Sequence, residues 1–162
     1  MIDQIRTENI ESNDVYFGGE SKLTGKAPKI GTSVPEFRLD DIRGNPIGPD
    51  SFRGKRTLAV FWSPTCPHCN AMMDDLRDWD KTRTESDPNL IVFSDGDKDA
   101  HANLELNAPI VLDAGYKTAE TIGMFGTPSA VMLDESGKVI SETALGASTI
   151  WALVGRRPRN TN

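Results

Sequence analysis

The feature that most constrains the fold is a buried strand that leads, through two cysteines, into an amphipathic helix. The run Thr57–Trp62 is uncharged and rich in β-favouring residues, the pattern of a strand buried on both faces of a sheet. After it, an apolar residue recurs every three or four positions, which predicts a helix with one buried face. That face holds Cys69, Met72, Leu76 and Trp79, and the opposite, solvated face is predicted to hold Asp74, Asp75, Arg77, Asp78 and Asp80.

Cys66 and Cys69 are the two cysteines of the chain, and their spacing limits the chemistry they can do. A structural zinc site takes four ligands, and the two histidines do not complete one, because His68 lies between the cysteines and His101 stands alone in a polar stretch. We therefore expect no metal and no cofactor. The function that fits a lone Cys-x-x-Cys pair is thiol–disulfide exchange. This reaction needs one thiolate that attacks and a second thiol that forms the intramolecular disulfide with it.

The predicted start of the helix gives the two thiols different roles. Proline is favoured at the first helical position, so Pro67 places Cys66 at the N-cap, where free N–H groups and the positive helix end stabilise an exposed thiolate. Cys69 lies one turn later and faces the core, so we expect Cys66 to attack and Cys69 to resolve. His68 is expected to lower the Cys66 pKa further, which makes the disulfide more oxidising.

A proline directly before a strand marks a second candidate element, Gly126-Thr127-Pro128-Ser129. Such a proline is unusual unless the backbone there stays unpaired or the preceding bond is cis. A cis Thr127–Pro128 bond would lay the Thr127 backbone beside the disulfide, ready to pair with an extended substrate strand. Pro128 therefore joins Cys66, Cys69 and His68 as a predicted catalytic residue.

The remaining pattern predicts an α/β fold in which a mixed central sheet has helices on both faces. Further strands are expected at 37–39, 46–47, 90–93, 109–113, 129–133 and 139–144. Further helices are expected at 116–125, stopped by Gly126, and from an N-cap at Ser148 to 154, with a helical turn at 51–55 and a polar, partly helical stretch at 97–107.

The chain is expected to hold one domain. Residues 30–155 are predicted to form it, residues 1–29 an extension or linker with little structure, and residues 156–162 a solvated polar tail.

Charge and hydrophobicity exclude two classes of protein. The formal net charge is −6, and an acidic surface repels phosphate backbones, so nucleic acid is not an expected partner. No run of ~18 apolar residues occurs, so the chain is not expected to span a membrane. Residues 1–11 are polar and unlike a signal peptide, so we expect either a cytoplasmic protein or one whose export signal or anchor lies outside this sequence.

The two motifs and their flanks resemble the thioredoxin superfamily, and within it the TlpA-like and ResA-like redoxin branch. Residues 61–69 and 126–129 carry the resemblance, 31–39 resemble the N-terminal hairpin of that branch, and 133–140 with Gly146 resemble its final hairpin. The Cys-Pro-His-Cys motif itself is typical of DsbA oxidases. The overall pattern also resembles soluble domains that accompany MauE/DoxX-type redox membrane proteins.

This resemblance implies a thioredoxin-like fold with an N-terminal β-hairpin and a thiol–disulfide oxidoreductase that exchanges with protein partners. It also implies work outside the cytoplasm, in the periplasm, and a membrane redox partner. We expect a monomer. The residues implied to contact substrate are Trp62, Thr65, Pro67 and Thr127.

Two positions depart from the family pattern. The buried acid that usually lies six residues before the first cysteine is Val60 here, so the proton acceptor for Cys69 is unassigned. Asp95 and Glu105 are candidate substitutes, although each fits better as a solvated surface charge. The tryptophan that usually precedes the first cysteine is Thr65, which removes an aromatic lid from the docking surface.

Two other functions remain open. A peroxiredoxin-like thiol peroxidase needs a Thr or Ser three residues before its cysteine and a proline seven before it; for Cys66 these are Ser63 and Ala59, so the proline is missing. A non-enzymatic module could use both cysteines as soft ligands for Cu(I). The direction of exchange is also open, because thioredoxin and DsbA differ by ~150 mV, roughly 7 kcal/mol for two electrons.

Overall fold

The computed structural model of the protein describes residues 30–156. The predicted extension 1–29 and residues 157–162 lie outside the described residues, and the domain boundaries stay predictions. Arg156, expected as the first residue of a solvated tail, packs on the domain instead. Its guanidinium lies 5.4 Å from the centre of the Trp151 ring and donates to Asp78 Oδ2 at 3.1 Å.

A short antiparallel hairpin precedes the central sheet, as predicted. Its strands are β1 (Leu39–Asp40) and β2 (Pro46–Ile47), so the first strand begins two residues later than expected. The hairpin docks on the sheet because the Ile42 N–H donates to the Ile110 carbonyl at 3.0 Å. A Ser33–Lys138 bridge ties the segment before the hairpin to the turn that follows the last long strand.

The central sheet is mixed, as predicted. Its strands are β3 (Thr57–Trp62), β4 (Asn89–Ser94), β5 (Ile110–Leu112), β6 (Ser129–Leu133) and β7 (Ala144–Leu145), in the order β5-β4-β3-β6-β7. Strands β3, β4 and β5 are parallel, and β6 is antiparallel to both β3 and β7. All six residues of β3 are buried, because this strand has a neighbour on each edge and helices over each face.

Helices cover both faces of the sheet, which confirms the predicted architecture. Helices α1 (Pro67–Thr82) and α3 (Ala147–Leu153) share one apolar cluster, and α2 (Lys117–Ile122) belongs to the other. Alternate residues of β3 enter the two clusters, with Val60 and Trp62 on the α1 side and Phe61 on the α2 side. Short 3-10 turns at Pro49–Phe52, Lys98–His101 and Ala114–Tyr116 complete the fold.

Two carboxylates predicted on the solvated face of α1, Asp75 and Asp80, are buried instead. One oxygen of Asp80 accepts from the backbone N–H groups of Asn107 and Ala108, at 2.5 and 3.2 Å. The other lies 3.5 Å from the Arg83 Nε. Helical periodicity could not reveal this, because the donors belong to a segment 27 residues away in the chain.

The predicted strand 139–144 is interrupted. The Ser141 hydroxyl oxygen accepts from the Met132 N–H at 2.9 Å, in the place of a backbone carbonyl, and ladder pairing resumes only in β7. The stretch 97–107, expected to be partly helical, contains a single 3-10 turn, Lys98–His101.

Two helix ends also differ from the prediction. Helix α2 ends at Ile122, and Gly123 takes a φ of 128°, three residues before the expected stop at Gly126. Helix α3 begins after Gly146, which has a φ of 83°, so Ser148 is not the N-cap.

Candidate active site

The two cysteines lie at the start of α1, just beyond the carboxyl end of β3. Cys66 is the N-cap and Pro67 lies in the first turn, as predicted. The Cys66 Sγ accepts a hydrogen bond from the Cys69 N–H at 3.3 Å, so the sulfur satisfies a free donor of the helix end. Both cysteines are in the dithiol form.

The Cys66 side chain is completely buried, so the prediction of an exposed thiolate is wrong. Its sulfur lies 3.5 Å from the carbonyl oxygen of Thr127, in the loop before β6. Because this contact crosses 61 residues of sequence, local pattern could not reveal that the sulfur is covered. A partner that reaches the sulfur has to displace part of this packing.

The two thiols have opposite electrostatic environments. Hydrogen bonds, above all from the Cys69 thiol and then from the Thr127 hydroxyl and the Cys69 and His68 amides, lower the pKa of Cys66 to about 6 against the opposing effect of burial. Burial, together with the hydrogen bond to Cys66 and its negative charge, raises the pKa of the Cys69 thiol well above its ordinary value. Near neutral pH, Cys66 is therefore a thiolate and Cys69 is the thiol that donates to it.

His68 is half-buried in the first turn of α1. It contributes to the lowered Cys66 pKa through its backbone amide. A contribution from the imidazole, which the sequence suggested, stays a prediction.

The Gly126–Ser129 loop lies against the cysteines. The Thr127–Pro128 peptide bond is cis, as predicted, and both residues are buried. The backbone carbonyl of Thr127 faces the Cys66 sulfur, so the structure brings the two predicted elements together.

The residues predicted to contact substrate divide into two groups. Thr65 and Pro67 are exposed beside the cysteines, and Thr127 presents its backbone to them. Trp62, in contrast, is completely buried in the cluster that joins α1 to the sheet, so it cannot line a docking surface and that prediction is wrong. The reason is strand alternation, which points Trp62 at α1.

Neither candidate acid takes the place of the missing carboxylate. Val60 is fully buried in the apolar core, as its position in β3 requires. Asp95 accepts from the N–H groups of Gly96 and Gly115 at 2.9 and 3.2 Å, which is a structural role. Glu105 is exposed. Within residues 30–156, no hydrogen bond joins either carboxylate to Cys69.

Two polar residues near the site, one half-buried and one completely buried, gave no signal in the sequence. The Tyr116 hydroxyl donates to the Trp62 carbonyl at 2.9 Å. His101, expected to stand alone, is completely buried, with its ring nitrogens 2.7 Å from the Asp97 carbonyl and 2.7 Å from the Ser94 hydroxyl. Both link loops at the carboxyl end of the sheet, which is information that only the tertiary structure holds.

Residues 30–156 contain neither a cluster of metal-binding side chains nor a membrane-spanning helix. This part of the chain has no group of three or more His, Cys, Asp or Glu side chains arranged to hold a metal ion. None of its helices is both long enough and apolar enough to cross a bilayer.

Comparison with known proteins identifies the family. The sequence model of the AhpC/TSA family matches residues 30–142. The chain is 26% identical over 132 residues to the thiol-disulfide oxidoreductase ResA of Bacillus cereus, covering 78% of this chain and 73% of ResA. It is 29% identical over 121 residues to the methylamine utilization protein MauD of Paracoccus denitrificans, covering 71% of this chain and 58% of MauD.

Solved structures confirm the thioredoxin-like fold. The exposed lipoprotein thioredoxin of Streptococcus pneumoniae superimposes with a TM-score of 0.63 at 23% identity, covering 74% of this chain and 95% of that one. StoA of Bacillus subtilis superimposes with a TM-score of 0.57 at 21% identity, covering 75% and 96%. The chain belongs to the AhpC/TSA family and is a ResA-like thiol–disulfide oxidoreductase with a thioredoxin fold.

Proposed function

We propose that Cys66 and Cys69 are the redox-active pair of this oxidoreductase, with Cys66 as the attacking thiol and Cys69 as the resolving thiol. The observation that supports the proposal most strongly is that the surroundings of the two sulfurs shift their pKa values in opposite directions. The pKa of Cys66 is lowered to about 6, whereas that of Cys69 is raised. Since the thiolate is the nucleophile in disulfide exchange, Cys66 reacts first.

The reaction proceeds through a mixed disulfide. The Cys66 thiolate attacks a disulfide of the partner, that bond breaks, and one partner sulfur leaves as a thiolate. The Cys69 thiol then loses its proton and its sulfur bonds to the Cys66 Sγ. The second partner sulfur leaves with the electrons of the broken bond and takes up a proton. Two electrons have then passed from the dithiol to the partner, and the reverse sequence oxidises a partner dithiol.

The partner is a protein thiol or disulfide that docks around the start of α1. Exposed Thr65 and Pro67 are its proposed contacts on one side. The Thr127 backbone, next to Pro128, would pair with an extended segment of the partner on the other. Because the Cys66 sulfur is buried against Thr127, docking has to move the start of α1 and the Thr127 loop apart.

The setting of the reaction is also a proposal. The resemblance to the TlpA-like and ResA-like branch favours work outside the cytoplasm by a monomer that exchanges electrons with a membrane redox protein. Oxidising compartments are also where protein disulfides form and persist. Labelling of the native protein in intact cells by a membrane-impermeant thiol reagent would support this setting, and protection until lysis would contradict it.

Single cysteine variants test the assignment. We expect Cys66→Ser to abolish reduction of insulin disulfides, because the nucleophile is lost. Cys69→Ser should instead accumulate a mixed disulfide at Cys66, because nothing resolves it. Mass spectrometry of the trapped adduct checks the site, and the double variant gives the baseline. Near-normal turnover in either single variant would show that the dithiol mechanism is wrong.

The same preparations separate the other two functions. Rapid peroxide consumption without insulin reduction would indicate a thiol peroxidase. Tight Cu(I) binding by the dithiol without either activity would indicate a metal-binding module.

A further inference from the structure

Tyr116 has a backbone conformation that bulky residues rarely adopt. Its φ of 59° and ψ of 29° lie in the left-handed region, directly after Gly115, which has a φ of 67°. Such a conformation persists only where the surroundings fix it, and residues that hold it tend to cluster at functional sites. Here the Tyr116 N–H donates to the Asp113 carbonyl at 2.9 Å, and the Gly115 N–H donates to Asp95 at 3.2 Å.

The turn directs the Tyr116 hydroxyl onto the backbone that leads into the cysteine motif. The hydroxyl donates to the Trp62 carbonyl at 2.9 Å. Trp62 is the last residue of β3, and the pairing of β3 with β6 stops one residue earlier, at Phe61. Tyr116 thus supplies a donor to a buried carbonyl at the end of the strand.

The other half of the same peptide unit acts on Cys69. The Ser63 amide lowers the pKa of the Cys69 thiol, against the larger opposing effect of burial, and so favours its thiolate. The Trp62 carbonyl and the Ser63 N–H belong to one planar peptide group. A hydrogen bond accepted by the Trp62 carbonyl fixes the orientation of the peptide group. It also polarises that group, which makes the Ser63 N–H a stronger hydrogen-bond donor.

Tyr116 keeps its proton throughout the working range of pH. Burial is the main cause that raises its pKa to about 12; a hydrogen bond from the Ser63 hydroxyl opposes this rise, and the negative charge of Asp95 adds to it. The Ser63 hydroxyl also lies 3.2 Å from the Thr65 hydroxyl and accepts a hydrogen bond from the Thr65 N–H at 3.3 Å. These contacts within the loop between β3 and α1 stabilise its conformation.

We propose that Tyr116 is a positioning residue for the resolving step: its hydrogen bond to the Trp62 carbonyl holds the Trp62–Ser63 peptide at the start of the loop that leads to the two cysteines. In this chain Val60 supplies no carboxylate beside Cys69, and the oriented peptide provides part of the stabilisation that the Cys69 thiolate needs when it forms. In that step the proton of Cys69 leaves, the Cys69–Cys66 bond forms, and the departing partner sulfur takes up a proton. The inference rests on the proposed assignment of Cys69 as the resolving thiol.

Tyr116→Phe tests the proposal, because it removes the hydroxyl and keeps the ring. Ellman's reagent separates the two steps in the reduced protein, since attack by Cys66 releases one coloured thiolate and resolution by Cys69 releases the second. We expect the second phase to slow by about two- to tenfold, the range for one hydrogen bond. The pH profile of that phase should move to higher pH, and the first phase should be unchanged.

Thr57→Val is the matched control. Thr57 lies at the opposite end of β3, is buried, and its hydroxyl also donates to a backbone carbonyl, that of Lys55. Both phases should match those of the wild type in this variant.

The outcomes separate this inference from the function on which it rests. An unchanged second phase in Tyr116→Phe, equal slowing of both phases, or the same loss in Thr57→Val would overturn the role of Tyr116. If peptide mapping placed the first adduct on Cys69, the assignment of the two cysteines would fail instead.

Discussion

The two active-site sulfurs differ in the donors that surround them. Cys66 accepts hydrogen bonds from the Cys69 thiol, the Thr127 hydroxyl and two backbone amides, whereas burial is the main influence on Cys69, which also lies next to a negative sulfur. The N-cap position of Cys66 could be predicted, because Pro67 marks the first turn of a helix. The burial of Cys66 could not, because the residue that covers it lies 61 positions away.

His68→Thr separates the imidazole of His68 from its amide. The variant keeps the amides of His68 and Cys69, so we expect the Cys66 pKa to stay below the ordinary thiol value of ~8.5. Any rise in the Cys66 pKa relative to the wild type measures the contribution of the imidazole. The reduction potential of the Cys66–Cys69 disulfide should then fall with it, by ~30 mV for each 1.4 kcal/mol of lost thiolate stabilisation.

Thiolate titration and redox equilibration with glutathione provide the two readings. A Cys66 pKa that returned to ~8.5 in His68→Thr would show that the imidazole, not the backbone, stabilises the thiolate. If the Cys66 pKa and the redox equilibrium were unchanged and only the rate of reaction with a partner changed, the imidazole would act only in partner docking.

Among the helices and strands, α1 shows most clearly where sequence pattern succeeds and where it fails. Its apolar stripe was predicted, because a period of three and four residues is a local property. Its buried carboxylates were not predicted, because Asp80 is held by hydrogen bonds from the backbone amides of Asn107 and Ala108, which belong to a distant segment of the chain. The interrupted strand at Ser141 has the same kind of cause, a side chain that bonds to the neighbouring strand in place of the backbone.

Asp80→Ala tests the contribution of this buried carboxylate to stability. The change leaves two backbone N–H groups without their acceptor, and each buried unsatisfied donor costs ~1–3 kcal/mol. We expect the free energy of unfolding, measured in urea on the reduced protein, to fall by at least ~2 kcal/mol.

Asp74→Ala is the control on the same helix. Asp74 also pairs with an arginine three residues away, but its side chain is 86% exposed, so its loss should change the free energy of unfolding by less than ~1 kcal/mol. Similar losses in the two variants would show that Asp80 acts only as a surface charge.

In the whole molecule, the sheet brings the functional parts together. Antiparallel pairing of β3 with β6, Phe61 opposite Ser129, places the cysteine motif and the Thr127–Pro128 loop at the same edge. The mixed sheet, the hairpin and this meeting could be predicted, because buried strands and turn residues are local signals and the resemblance supplied their order. The contact of Tyr116 with Trp62 could not, since it depends on an unusual backbone conformation that no local pattern indicates.

The most direct test of the assignment of Cys66 as the attacking thiolate is a pH titration of the ultraviolet absorbance of thiolate in the reduced protein. The absorbance should rise by one thiolate with a midpoint near pH 6, because the proton leaves Cys66 as the pH increases through its lowered pKa of about 6. The transition should disappear in Cys66→Ser and persist in Cys69→Ser, whose hydroxyl can still donate to the sulfur. A midpoint near ~8.5 in the wild type, or a transition that survives in Cys66→Ser, would contradict the assignment of Cys66 as the attacking thiolate.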